Sequence, residues 1–85
     1  MIVTLDQLQS VLGSEGFFLT EVRDRVLTFD REGEHVYCAG AFYVSHQLVV
    51  NTDHFLWHIA KFWDTDLAAR LGEQFQRLDE FGLEA

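Results

Sequence analysis

The stretch Val36-Tyr37-Cys38-Ala39-Gly40-Ala41-Phe42-Tyr43-Val44 decides how the rest of the chain is read. Its nine residues carry no charge. Its even positions are Val36, Cys38, Gly40, Phe42 and Val44, and its odd positions are Tyr37, Ala39, Ala41 and Tyr43. A strand that is apolar on both faces belongs in the middle of a sheet, covered on both sides. The expectation is therefore one central strand over 36–44. On that strand Tyr37 and Tyr43 stand at the two ends of a flat face floored by Ala39 and Ala41.

Working upstream, Asp30-Arg31-Glu32-Gly33-Glu34 is polar, contains Gly and reads as a hairpin loop. Closing it sets Asp30 against His35, Phe29 against Val36 and Leu27 against Cys38, so that apolar meets apolar. Phe17 to Phe29 reads as one extended segment rich in β-branched and aromatic residues. Its phase slips further back, where Arg23 would face Phe42. A bulge or a break near Arg23–Arg25 corrects that error. Downstream, Ser45-His46-Gln47 reads as a three-residue loop. Leu48-Val49-Val50 is then a short third strand, with Leu48 against Val44 and Val50 against Phe42.

Helices flank this sheet. Thr4-Leu5-Asp6-Gln7 has the form of a capping box, and Leu5, Leu8, Val11 and Leu12 follow at helical spacing, giving a first helix over 4–13. Asn51-Thr52-Asp53 caps a second helix whose stripe is Phe55, Leu56, Ile59, Phe62 and Trp63. Asp64-Thr65-Asp66 caps a last helix bearing Leu67, Leu71, Phe75, Leu78 and Phe81, with Gly82 as its C-cap. The expected architecture is α+β: a small antiparallel three-stranded meander packed against helices, in the order α-β-β-β-α-α, as a single globular domain over residues 1–85. The expected core is Leu27, Phe29, Val36, Cys38, Phe42, Phe55, Ile59, Leu71, Phe75 and Leu78.

Composition supports a folded chain. It is 48% hydrophobic with eight Phe, two Tyr and two Trp, unlike a disordered acidic tail. A lone Cys38 leaves no internal disulfide, which points to the cytoplasm. The first residues lack the basic and apolar segments of a signal peptide. The nine-residue apolar run falls short of the roughly 20 residues that a spanning helix needs, so no membrane association is expected.

Fourteen acidic residues against six basic ones give a formal charge of −8. Phosphates must be neutralised by Lys and Arg, so direct nucleic-acid binding and attraction to an anionic membrane are both disfavoured. A basic protein partner is favoured, because opposite fields speed encounter.

No arrangement of residues announces catalysis. His54 and His58 stand at i, i+4, a spacing that can aim two imidazoles at one metal, but no second ligand pair follows at a recognisable interval. They read as the flank of a core helix. Cys38 lies in an apolar strand, where a thiol is a small hydrophobe rather than a nucleophile. Glu32/Glu34, Asp64/Asp66 and Asp79/Glu80 lack the alternating oxygens of a Ca²⁺ loop. Neither a cofactor, a metal nor a catalytic residue is therefore expected.

What remains are three aromatic side chains suited to binding a protein: Tyr37, Tyr43 and Trp57. Trp57 points off the Phe55/Ile59/Phe62 stripe, beside polar groups, and Trp and Tyr are the residue types that anchor interfaces. The functional expectation is a non-enzymatic interaction protein that binds and inhibits a basic partner, such as a nuclease or another nucleic-acid-handling machine. The alternative is a homodimeric structural or accessory subunit that self-associates through its Tyr37/Tyr43 sheet face.

Overall fold

The computed structural model describes residues 1–81, with side chains as far as Leu78. The C-cap expected at Gly82 lies outside them. The chain runs β1 (Ile2–Thr4), α1 (Leu5–Ser14), β2 (Phe18–Arg23), β3 (Val26–Arg31), β4 (Glu34–Cys38), β5 (Ala41–Val44), β6 (Gln47–Asn51), α2 (Thr52–Phe62) and α3 (Thr65–Phe81). It is an α+β fold with three helices and two antiparallel three-stranded sheets, ordered β1-β6-β5 and β2-β3-β4.

The single central strand over 36–44 is not formed. Gly40 takes φ +89°, in the left-handed region that glycine enters without cost, and the chain turns there from one sheet into the other. Its carbonyl accepts from the Asn51 N–H at 3.1 Å, which ties the crossing to the start of α2. The segment 17–29 also divides. The break expected near Arg23–Arg25 is a two-residue hairpin turn, Asp24-Arg25, and a separate register shift lies at Thr20, between Leu19 and Glu21.

The register of β3 on β4 is as expected: Asp30 opposite His35, Phe29 opposite Val36 and Leu27 opposite Cys38. The register of β5 on β6 differs by one residue. Ser45 and His46 both take positive φ, 50° and 69°, and close a two-residue turn rather than a three-residue loop. Val50 therefore faces Ala41, and Phe42 faces Val49. A one-residue slip moves every side chain to the other face, which is why Phe42 is half-buried and outside the core.

β1 is the element that the sequence reading lacks. Val3 pairs with Val50, and with Ala41 they make one buried row across the sheet. The Thr52 N–H donates to the Met1 carbonyl at 2.9 Å and the Thr52 hydroxyl donates to it at 3.2 Å, so the one buried polar side chain among the described residues is satisfied.

The helices start where their caps require. Thr4 and Gln7 form the capping box in both directions, at 3.2 and 2.9 Å. The Asn51 side chain accepts from the N–H groups of Asp53 and His54, and that of Asp64 from those of Asp66 and Leu67. Phe55 of α2 meets Phe75 of α3 edge to face, with centroids 6.3 Å apart. Both are fully buried, in a single core that also takes Leu8 and Leu12 of α1, Leu27, Phe29, Val36 and Cys38 of one sheet, and Val3 and Val50 of the other. Truncating a ring such as Phe75 costs about 3–5 kcal/mol. Leu78 is half-buried and packs against this core.

Candidate functional site

The connection between α2 and α3 shapes the surface. The N–H groups of Trp63 and Asp64 both reach back to the Ile59 carbonyl at 2.9 Å, and Asp64 then caps the next helix. The last turn of α2 thus ends beyond the core it started on. Phe62 and Trp63, expected on the inward stripe, are 62% and 44% exposed, because no element among the described residues covers them. Ile59 and Phe55, one and two turns earlier, remain buried.

Trp57 points off the core face as expected, and is 53% exposed. Its ring lies edge-on to Phe62, with centroids 6.1 Å apart, and is stacked with His54 at 6.2 Å. The Lys61 ammonium stands 4.7 Å from the Trp57 ring centroid and 5.5 Å from that of Phe62. His58 lies against Phe62, with centroids 4.9 Å apart. These contacts pack the exposed rings against one another, and packing of this kind lowers the side-chain freedom that is lost when a partner covers them.

β4 supplies the other side. Val36 and Cys38 face the core, while His35 and Tyr37 face out. A groove of about 240 Å³ runs between His35, Val36 and Tyr37 on the strand and His58, Ile59, Phe62 and Trp63 on the helix. The structure thus brings Tyr37 and Trp57 to one surface, bridged by Phe62. It sets Tyr43 apart. Tyr43 is exposed on β5, in the other sheet, so no continuous face carries both tyrosines.

His35 Nδ1 lies 2.5 Å from Asp30 Oδ1 on the outer face of the sheet, in a hollow that Thr20, Glu21, Thr28 and Tyr37 also line. Burial pushes the Cys38 thiol up to about 12, and its S–H has only the Ala39 carbonyl, at 3.5 Å. Among the described residues no three His, Cys, Asp or Glu side chains come together as a metal site. A larger hollow, of about 460 Å³, lies between Met1, the start of α2 and one side of α3, but its Thr52 hydroxyl is already spent on the Met1 carbonyl.

Phe62 and Trp63 are the residues that sequence reasoning missed. A signal was present, since the cap cluster Asp64-Thr65-Asp66 immediately follows them and a helix that stops there leaves its last turn without a neighbour. No helix among the described residues is long and apolar enough to cross a membrane. Compared with protein families, with curated proteins and with solved structures, the chain has no match.

Proposed function

We propose that this chain is a non-enzymatic interaction protein that binds a basic protein partner through the surface built by Trp57, Phe62, Trp63 and Tyr37, and inhibits it by covering the partner's working surface. The class of partner that suits the charge is a nuclease or another nucleic-acid-handling protein, met in the cytoplasm. The observation that carries the reading is the gathering of these exposed aromatic side chains on one side of the molecule. Soluble proteins scatter single apolar residues over their surfaces, whereas contiguous ones mark sites of association. Trp and Tyr are also the side chains whose loss costs interfaces most. The charge of −8 adds steering, which acts on encounter more than on the lifetime of the complex.

The test is capture of a partner from the native host with the wild-type chain as bait, followed by binding kinetics. Trp57→Ala and Phe62→Ala are expected to speed dissociation by a factor equivalent to about 2 kcal/mol or more. Tyr43→Ala should change it little. Added salt should slow association and leave dissociation nearly unchanged. Should the aromatic variants bind normally while neutralised Asp and Glu clusters abolish binding, the carboxylates imitate a phosphate array and the aromatic surface is not the site.

A further inference from the structure

Each sheet has two edge strands, and they differ. β1 and β5 are short, at three and four residues, and β2 is interrupted by its register shift at Thr20. Short or bulged edges discourage further pairing. β4 is five residues long, regular throughout and free of Pro and Lys. It is the edge of its sheet that borders the aromatic groove.

The hairpin fixes which backbone groups that edge presents. Glu32 and Gly33, with φ of 49° and 85°, make the two-residue turn between Arg31 and Glu34. Arg31 and Glu34 are therefore a hydrogen-bonded pair, and the alternation of an antiparallel ladder makes Phe29/Val36 and Leu27/Cys38 bonded pairs as well. His35 and Tyr37 fall at the intervening positions. Their N–H and C=O groups point away from β3, toward the open edge, and among the described residues no backbone partner outside the sheet takes them.

We propose that β4 receives an extended segment of the partner as a fourth strand, held by the N–H and C=O groups of His35 and Tyr37. This rests on the reading that the aromatic surface binds protein, and it specifies how. In the free chain water can meet these groups, but an extended backbone presents donors and acceptors at the same alternating spacing and so takes them as a set. The residue of that segment opposite Val36 points inward and enters the groove against Ile59, Phe62 and Trp63, so it is apolar. Its neighbours point outward, onto the sheet face where Glu21, paired with Arg23 at 3.1 Å, and Asp30, paired with His35, lie beside Tyr37. These exposed pairs and the net charge of −8 leave the face acidic, which favours Lys or Arg at those neighbours. The occupant is thus an extended stretch of a basic protein in which basic and apolar residues alternate.

The probe is a synthetic nine-residue peptide of alternating Lys and Val with Trp at its centre, added to the isotope-labelled chain. Strand addition protects the amides of His35 and Tyr37 from hydrogen exchange and leaves that of Val36, already bonded to β3, unchanged. N-methylating those alternate peptide amides that face β4 should weaken binding about tenfold or more, since at least one net hydrogen bond of about 1.4 kcal/mol is lost. Methylating the other alternate set should have no effect. Binding that depends on Trp57 and Phe62 but shows neither the protection nor the methylation asymmetry overturns strand addition and leaves the aromatic surface standing. Failure of the peptide to bind at millimolar concentration overturns the proposal. So does a dimer mass by light scattering together with amides of His35 and Tyr37 already protected in the chain alone.

Discussion

At position 40 a methyl group has nowhere to go. A Cβ built on Gly40 lies 3.0 Å from Cδ2 and 3.3 Å from Cβ of His54, and 3.4 Å from the Asn51 carbonyl oxygen. The backbone at φ +89° is also one that L side chains rarely adopt. Gly40→Ala should therefore lower stability by about 1–3 kcal/mol, read from the urea midpoint, with the larger part from the backbone. Gly13→Ala is the control. It lies in the last turn of α1, its Cβ would meet nothing within 4 Å, and a small gain is expected from helix propensity. Equal losses at both positions would mean that the crossing between the sheets does not depend on the conformation of residue 40.

At the scale of the element, the turn between β5 and β6 is closed by two residues unsuited to it. Ser45 and His46 both sit in left-handed backbone, which Asn and Gly fill at far lower cost. Each non-glycine residue there carries about 1 kcal/mol or more of strain, and the extra freedom of an unfolded glycine takes back only part of the relief. Replacing the pair with Asn-Gly should raise the urea midpoint by the equivalent of about 1 kcal/mol with an unchanged slope. A lower midpoint would mean that the exposed Ser45 and His46 side chains make a contribution that the hydrogen bonds do not reveal. The same turn explains what could and could not be read from residues alone. The caps at Thr4, Asn51 and Asp64 were legible, because capping is a local signal carried by side chains three residues apart. The register of β3 on β4 was legible from the alternation of Leu27 and Phe29 against Val36 and Cys38. A break near Arg23–Arg25 was legible, but the two-residue form of the turns at Asp24-Arg25 and Ser45-His46 was not, because positive φ at Asp24, Ser45 and His46 is imposed by pairing of the strands on either side. Gly40 was read as one apolar position among nine, since nothing local separates a glycine that fills a strand from one that breaks it. Of the candidate site, Trp57 stood out by its angle from the stripe and Tyr37 by alternation. Phe62 was hidden by belonging to the stripe itself.

At the scale of the molecule, both sheets and all three helices contribute to one core, and the radius of gyration, 12.0 Å, matches the roughly 12 Å of a compact chain this long. Cys38 lies at the floor of that core, on the last residue before the chain crosses toward the second sheet. Its thiol ionises near 9 when the chain is unfolded and at about 12 when folded. Below pH 9 it is protonated in both states, and its contribution is fully present. Above pH 9 the unfolded chain loses the proton first, so stability falls, by up to about 1.4 kcal/mol for each pH unit, until the folded thiol also ionises. The stability difference between the wild-type chain and Cys38→Ala should therefore shift against the wild type between pH 9 and 12, and stay constant below that window. A difference that does not change with pH would mean that the thiol is not held away from water. The same burial makes Cys38 a chronometer. A disulfide reagent reaches its sulfur only in the moments when the core parts, so the labelling rate measures how often that happens. Labelling that steepens with urea as global unfolding does would place the opening at the level of the entire fold, whereas a rate indifferent to urea would place it in the fraying of β4 alone.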